Sequence, residues 1–306
     1  MINTSFTHRL LPAAAVLIAG ATGLAGCGAG TSAAPSADLG HVHGLGVDPS
    51  NGETYAATHN GVWLIPTDQL PASFPANQRD SSGAPRQIAD RAQDTMGFIV
   101  ARPGLLLGSG HPDPADAGSP ANLGLIASTN RATTWESVSL NGEADFHDLD
   151  VAELPDGRLR VYGYDNGIVK VSDDNGQSWS DRSSLDARDL AADPSNPDRL
   201  FATTGEGLMV SNDARTSFSV VNEAPALYLV TFTPDGSTLV GVDTQGTIWT
   251  KEGDRWTEHG ATVGVPEALA SVGGDGASWL LLADERGIVA TDDFGETATT
   301  LLTGKS

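Results

Sequence analysis

SDDNGQSW, residues 172–179, reads as S-x-D-x-G-x-[ST]-W. Each specified letter of that pattern has a local physical job. The Asp carboxylate accepts hydrogen bonds from backbone N–H groups of a tight hairpin, and Gly takes the positive φ that the turn requires. The Trp then buries its ring between neighbouring sheets. Ser172, Asp174, Gly176 and Trp179 are therefore expected to be structural rather than chemical.

Degraded copies flank this stretch. STNRATTW (128–135) has Asn130 for Asp and Ala132 for Gly; SNDARTSF (211–218) keeps Asp213; TDDFGETA (291–298) keeps Asp293 and Gly295 but loses the aromatic. TKEGDRW (250–256) falls at the same interval as a shortened version. The motif is the Asp-box, and a period of about 40 residues signals a repeat architecture. Matching strand patterns precede each copy. Inner strands are expected to begin near His43, Met96, His147, Asp189, Tyr228 and Leu269, with second and third strands following each. Six four-stranded units arranged about a channel make an all-β, six-bladed β-propeller, in which ring closure protects the sheet edges. Seven blades is the alternative, if residues 66–90 conceal further strands. That segment is rich in Pro, Ser and Asn and reads as a long loop before one outer strand at 86–89.

Asp-boxes on propellers occur in sialidases, sortilin-type receptors and photosystem assembly factors. The chain resembles secreted bacterial proteins of the Asp-box (BNR-repeat) family labelled glycosylhydrolase or exo-alpha-sialidase-like. The stretches carrying the resemblance are HVHGLGVDP (41–49), ATHNGVW (57–63), MGF (96–98), SGHPDP (109–114), NLGLIAST (122–129), GEADFHDL (142–149) and VYGYDNG (161–167). The resemblance implies the fold strongly and an activity weakly, because the label rests on the Asp-box.

The chain's first residues read differently. His8 and Arg9 precede an apolar stretch, Leu10 to Gly23, too short for a permanent span, and Leu24-Ala25-Gly26-Cys27 follows. This resembles a bacterial lipoprotein signal, which implies removal of residues 1–26 and lipidation of Cys27, the sole cysteine. An ordinary secretory signal with an incidental Cys is the alternative. Residues 27–39 read as a flexible tether and 40–306 as one propeller domain. The expected location is the extracytoplasmic face of the cell membrane, with Cys27 the only membrane attachment.

Across 306 residues there are 17 Lys+Arg against 39 Asp+Glu, a formal charge of -22. Such a surface repels nucleic-acid phosphates and anionic headgroups, which excludes nucleic acid as a partner. It is compatible with a cation, a small neutral ligand, a glycan or a partner protein, and the protein is expected to be a monomer.

Propeller geometry brings His41, His43, His59, His111 and His147 to one face of blades 1–3. His43, Met96 and His147 fall at inner-strand starts; His59 and His111 fall in second-to-third turns. Imidazoles with a thioether could hold a transition metal: histidine suits Zn and Cu, and Met96 favours Cu. The competing reading is that polar groups at strand starts merely satisfy loop backbone. His259 is expected at the surface.

A glycosidase needs paired carboxylates or a tyrosine nucleophile. Asp94, Asp148, Asp165 and Tyr164 are the candidates, though no spacing selects them and the arginine expected early in sialidase domains is missing. Tyr162 and Tyr164 share a strand face and could form a sugar-stacking platform or pack between blades. A non-catalytic binding propeller is the reading the residues favour, with a glycosidase or a docking scaffold as alternatives.

Overall fold

A computed structural model describes residues 34–74, 83–214, 217–274 and 277–304. The leader, the lipobox and Cys27 lie outside these residues. The fold is an all-β, six-bladed β-propeller: six antiparallel sheets, each laid down in chain order from inside to outside. The inner strands are Val42–Val47, Asp94–Arg102, Asp148–Glu153, Ala187–Ala192, Leu227–Phe232 and Ala268–Gly274, blades 1 to 6. Among the described residues, the segment at 66–90 contributes one short outer strand, Arg86–Gln87, and a 3-10 turn, Ile88–Asp90, and the sheets number six, which overturns the seven-bladed alternative. Part of that segment does more than connect: Phe74 is buried with its ring 5.4 Å from Trp279 of blade 6.

Alternation along each strand sends apolar side chains to both sheet faces, so every blade is a two-sided wedge. Among the described residues the core accordingly divides into six clusters, one at each interface between successive blades. Near the axis successive blades approach closely at particular glycines. A Cβ on Gly46 would stand 2.7 Å from Val100 of the next blade.

Ring closure starts earlier than the sequence indicated. Ser36–Ala37 pairs in parallel with Thr299–Gly304 as a fifth strand of blade 6, and Ala37 and Leu39 are buried. The tether expected over 27–39 therefore loses its last residues to the propeller. Sealing chain start to chain end covers a strand edge that would otherwise stay open.

The 172–179 turn behaves as its residue types dictate. Asp174 accepts from the Ser172 and Ser178 hydroxyls (2.7 and 2.5 Å) and from the Ser178 N–H (2.9 Å). The Ser172 hydroxyl accepts the Gly176 N–H at 2.9 Å, and Gly176 has φ 85. Trp179 donates to Ser139 Oγ (2.9 Å) and lies 4.6 Å from Phe146, joining blade 3 to blade 2. Asn130 and Asp293 accept from the N–H four residues on in the same way, at 3.0 and 2.9 Å. Asp213 accepts the Ser211 hydroxyl at 2.9 Å. The 250–256 stretch is different: Glu252 pairs with Arg255 across a two-residue hairpin loop containing Gly253, leaving no room for a carboxylate-centred turn.

Candidate functional site

The innermost strand of each blade has no strand partner on its axial side, so its N–H groups there need other acceptors. In blades 3 to 5, aspartates supply them. Asp148 accepts from Leu149 N–H (2.8 Å) and Leu190 N–H (2.6 Å), and Asp150 from Val151 and Ala192 N–H (both 2.7 Å). Asp189 accepts the Val230 N–H at 2.6 Å. Each carboxylate thus straps one blade to the next. Burial pushes the Asp148 carboxyl up to about 6 and Asp150 up to about 7, outweighing these hydrogen bonds, and raises Asp189 well above the usual range.

These strands surround an axial cavity of about 500 Å³ lined by residues of all six blades. At one mouth the inner strands of blades 1, 2, 4 and 5 begin with β-bulges, which re-aim single side chains. His43, Arg188 and Tyr228 are the residues skipped in the pairing of blades 1, 4 and 5, and Met96 lies within the bulge of blade 2. The Arg188 guanidinium sits 4.7 Å from the centre of the Tyr228 ring.

Blades 1 to 3 bring the five expected histidines to this mouth. The His43 ring is 4.8 Å from His41 and 4.6 Å from His59, centre to centre. One ligand atom each of His43, His59 and Asp94 lies within 4.8 Å of the others. His43 Nε2 is 3.5 Å from Asp94 Oδ1, yet neither buried atom has a hydrogen-bond partner. Burial, reinforced by the charges of His41 and His59, depresses His43 to about 3, so its ring is neutral near pH 7. Burial raises Asp94.

Asp145 forms a second focus. Its Oδ2 lies 3.2 Å from His147 Nε2 and 3.6 Å from His111 Nε2, while its buried Oδ1 has no partner. The His147 hydrogen bond holds Asp145 low and, reciprocally, Asp145 raises His147. Met96 is half-buried, two residues beyond Asp94.

The remaining candidates are elsewhere committed. Asp148 is a blade strap. Asp165 accepts from Asn166 Nδ2 at 3.0 Å, and Tyr164 donates to Asp186 at 3.0 Å. Tyr162 is fully buried with its hydroxyl donating to the Pro197 carbonyl, so it packs between blades and offers no sugar platform with Tyr164. His259, expected at the surface, is half-buried against Thr250 (2.8 Å) and Phe294.

Sequence reasoning missed Glu267, whose Oε1 is 3.3 Å from His41 Nδ1 and whose Oε2 accepts the Val42 N–H at 2.8 Å. The available signal was its place immediately before the blade 6 inner strand, matching that of His147 in blade 3.

No protein-family model and no curated protein matches this chain. Solved structures do. A chain of a nidogen/laminin complex aligns over 82% of this chain and 93% of its own, at 12% identity and a TM-score of 0.58. An ancestral GH74 enzyme aligns over 87% at 13% identity and TM-score 0.53, and a GH74 enzyme of Niastella koreensis over 86% at 16% identity and TM-score 0.51. The present chain spans only 38% and 37% of those two enzymes. At such identities the likeness shows a shared propeller fold.

Proposed function

We propose that this chain is an extracytoplasmic binding propeller, anchored through lipidated Cys27, that holds a transition metal ion at the mouth of its axial channel. Its turns at 128–135, 172–179, 211–218 and 291–298 are read as Asp-boxes that build the scaffold. The observation carrying the metal reading is the triad of His43, His59 and Asp94, with ligand atoms within 4.8 Å of one another. Two of these side chains present buried polar atoms that hydrogen-bond to nothing. Leaving such atoms unpaired costs about 1–3 kcal/mol each, and a cation between them removes that cost. A neutral imidazole offers the lone pair a metal requires.

Imidazole and carboxylate donors suit Zn and Cu(II), and the affinity order favours Cu. Met96 stands near enough in sequence to Asp94 to add a softer donor, while His41 is positioned by Glu267 beside the triad. The surrounding negative charge concentrates cations at the site.

The glycosidase alternative is weaker. Of its proposed acid and base, Asp148 has both oxygens engaged by backbone N–H groups, and Asp165 and Tyr164 already have side-chain partners. GH74 neighbours contribute only the fold.

The test is metal analysis of protein purified without a nickel column, stripped with chelator and reloaded separately with Cu(II) and Zn(II). Bound metal is expected in the parent, with reduced equivalents in a His43→Ala/His59→Ala variant that keeps its thermal transition. A parent that retains neither ion after reloading overturns the proposal.

A further inference from the structure

We infer that the axial channel binds a small apolar monocarboxylic acid, its carboxylate held at the mouth by Arg188 and its hydrocarbon body lying in the cavity below. The inference stands apart from the metal reading, because its anion contact is made by blade 4 and uses none of the triad residues.

Arg188 is a cation left unspent in an acidic protein. Arg91, Arg131, Arg158, Arg160, Arg199 and Arg286 each pair directly with a carboxylate. Arg188 pairs with none among the described residues, and what it touches is the face of the Tyr228 ring, 4.7 Å from the ring centre. Asp148 and Asp189 stand near enough to feel its charge, yet both carboxyls are turned to the N–H groups of Leu149, Leu190 and Val230.

The local backbone is built to present this pair. Arg188 and Tyr228 are the residues skipped in the strand pairing of blades 4 and 5, and a bulge turns such a residue out of the ladder. Stacking on Tyr228 holds the planar guanidinium by its face and leaves its N–H edge free. That edge matches the two oxygens of a carboxylate, donating two parallel hydrogen bonds. Arg188 lines the axial cavity together with His43 and His147, and its charge reaches both of those rings, so the guanidinium lies over the channel.

The cavity selects the rest of the ligand. Its volume of about 500 Å³ is in the range that holds small molecules. Ile99, Val151 and Leu269, from blades 2, 3 and 6, line it and stay half-buried although they sit in innermost strands. A hydrocarbon body placed against them removes apolar surface from water. Asp94, Asp145 and Glu267 share the mouth, so a doubly charged anion such as phosphate meets more repulsion there than a monocarboxylate does.

Isothermal titration of the full-length, detergent-solubilised and chelator-stripped protein tests the inference, with acetate, butanoate and hexanoate as probes and 1-hexanol and inorganic phosphate as controls. Stripping removes any bound ion, so the result does not depend on the metal triad. One equivalent of hexanoate is expected to bind the parent, with affinity rising about three- to fourfold per methylene from acetate upward. Arg188→Gln, which keeps donors at an exposed position but no charge, should weaken hexanoate at least tenfold while retaining its thermal transition. Tyr228→Leu, which releases the guanidinium, should weaken it a fewfold. Hexanol and phosphate should both bind more weakly than hexanoate. No saturable binding of any carboxylate, or equal hexanoate affinity in the parent and Arg188→Gln, overturns the inference. Affinity that is flat with chain length, or phosphate bound more tightly than hexanoate, overturns it as well, by removing the cavity from the site.

Discussion

Two groups of aspartates surround the same axis and keep opposite hydrogen-bond accounts. Around blades 3 to 5, Asp148, Asp150 and Asp189 bind backbone N–H groups that the sheets leave open. At the mouth of blades 1 to 3, Asp94 and Asp145 each keep a buried oxygen with no partner. The residue type is identical. What differs is commitment: the first group completes the scaffold, whereas the second is left incomplete by the protein alone. Polar groups spent on backbone are structural, and those held unpaired among imidazoles are where a ligand is to be sought.

The contrast predicts effects of opposite sign. Replacing Asp150 by Ala leaves the Val151 and Ala192 N–H groups without this acceptor, at about 1–3 kcal/mol for each buried orphan. A clear fall in the denaturation midpoint is expected. Asp94→Asn removes a half-buried charge that gains little from the protein, so the metal-free variant should hold its midpoint or rise, with a change of about 0.5 kcal/mol or less. Equal destabilisation by both substitutions would erase the distinction between the two groups.

Metal sharpens the comparison from the other side. An ion bound only by the folded state stabilises it by about 2.7 kcal/mol at a hundredfold excess over its dissociation constant. Added Zn(II) or Cu(II) should therefore raise the melting temperature of the parent and of Asp150→Asn by similar amounts. Asp94→Asn should lose part of that gain. A gain unchanged in Asp94→Asn would detach the mouth aspartates from the metal.

The two groups were not equally legible beforehand. Blade count, most strand positions and the 172–179 turn follow from local pattern, because Gly176 at positive φ and the Asp174 hydrogen bonds involve neighbours within four residues. The gathering of His43, His59, His111 and His147 was also readable, since propeller topology places strand starts and turns at known ends. The straps were not. Asp148 serves Leu190, 42 residues away, and nothing in its own stretch separates it from Asp94. Closure by Ser36–Ala37 was hidden for the same reason: a two-residue strand has no periodicity, and its partner is at the other end of the chain. The 250–256 stretch misled in the opposite direction, because spacing and a terminal Trp imitate the turn without the Asp that builds it.

Acidity offers a smaller effect. Burial raises Asp150 to about 7, above the unfolded carboxyl value of about 4, so the folded state holds that proton more tightly. Its contribution to stability is complete below the unfolded value and is lost as pH rises through the folded one. Between about pH 4 and 7 this term should pull the melting temperature of the metal-free parent downward. Asp150→Asn, neutral throughout, should show a shallower fall over that range. Parallel pH profiles for the two proteins would mean that Asp150 is ionised in the fold, as a fully satisfied carboxylate would be.

Glu267 belongs to both groups and gives the finest test. One oxygen accepts the Val42 N–H, sealing blade 6 to blade 1 as a strap does, and the other faces His41 at the mouth. Burial pushes its carboxyl up, but the His41 and Val42 hydrogen bonds prevail and hold it below its ordinary value. In Glu267→Gln the side-chain carbonyl can still accept from Val42, so only the extra strength of a charged acceptor is lost, about 1 kcal/mol or less. Metal affinity should fall a fewfold, because the amide no longer orients or polarises His41 as a carboxylate does. A stability loss as large as that of Asp150→Ala, with metal affinity untouched, would make Glu267 purely a strap. The mouth would then begin at His43, with His41 outside it.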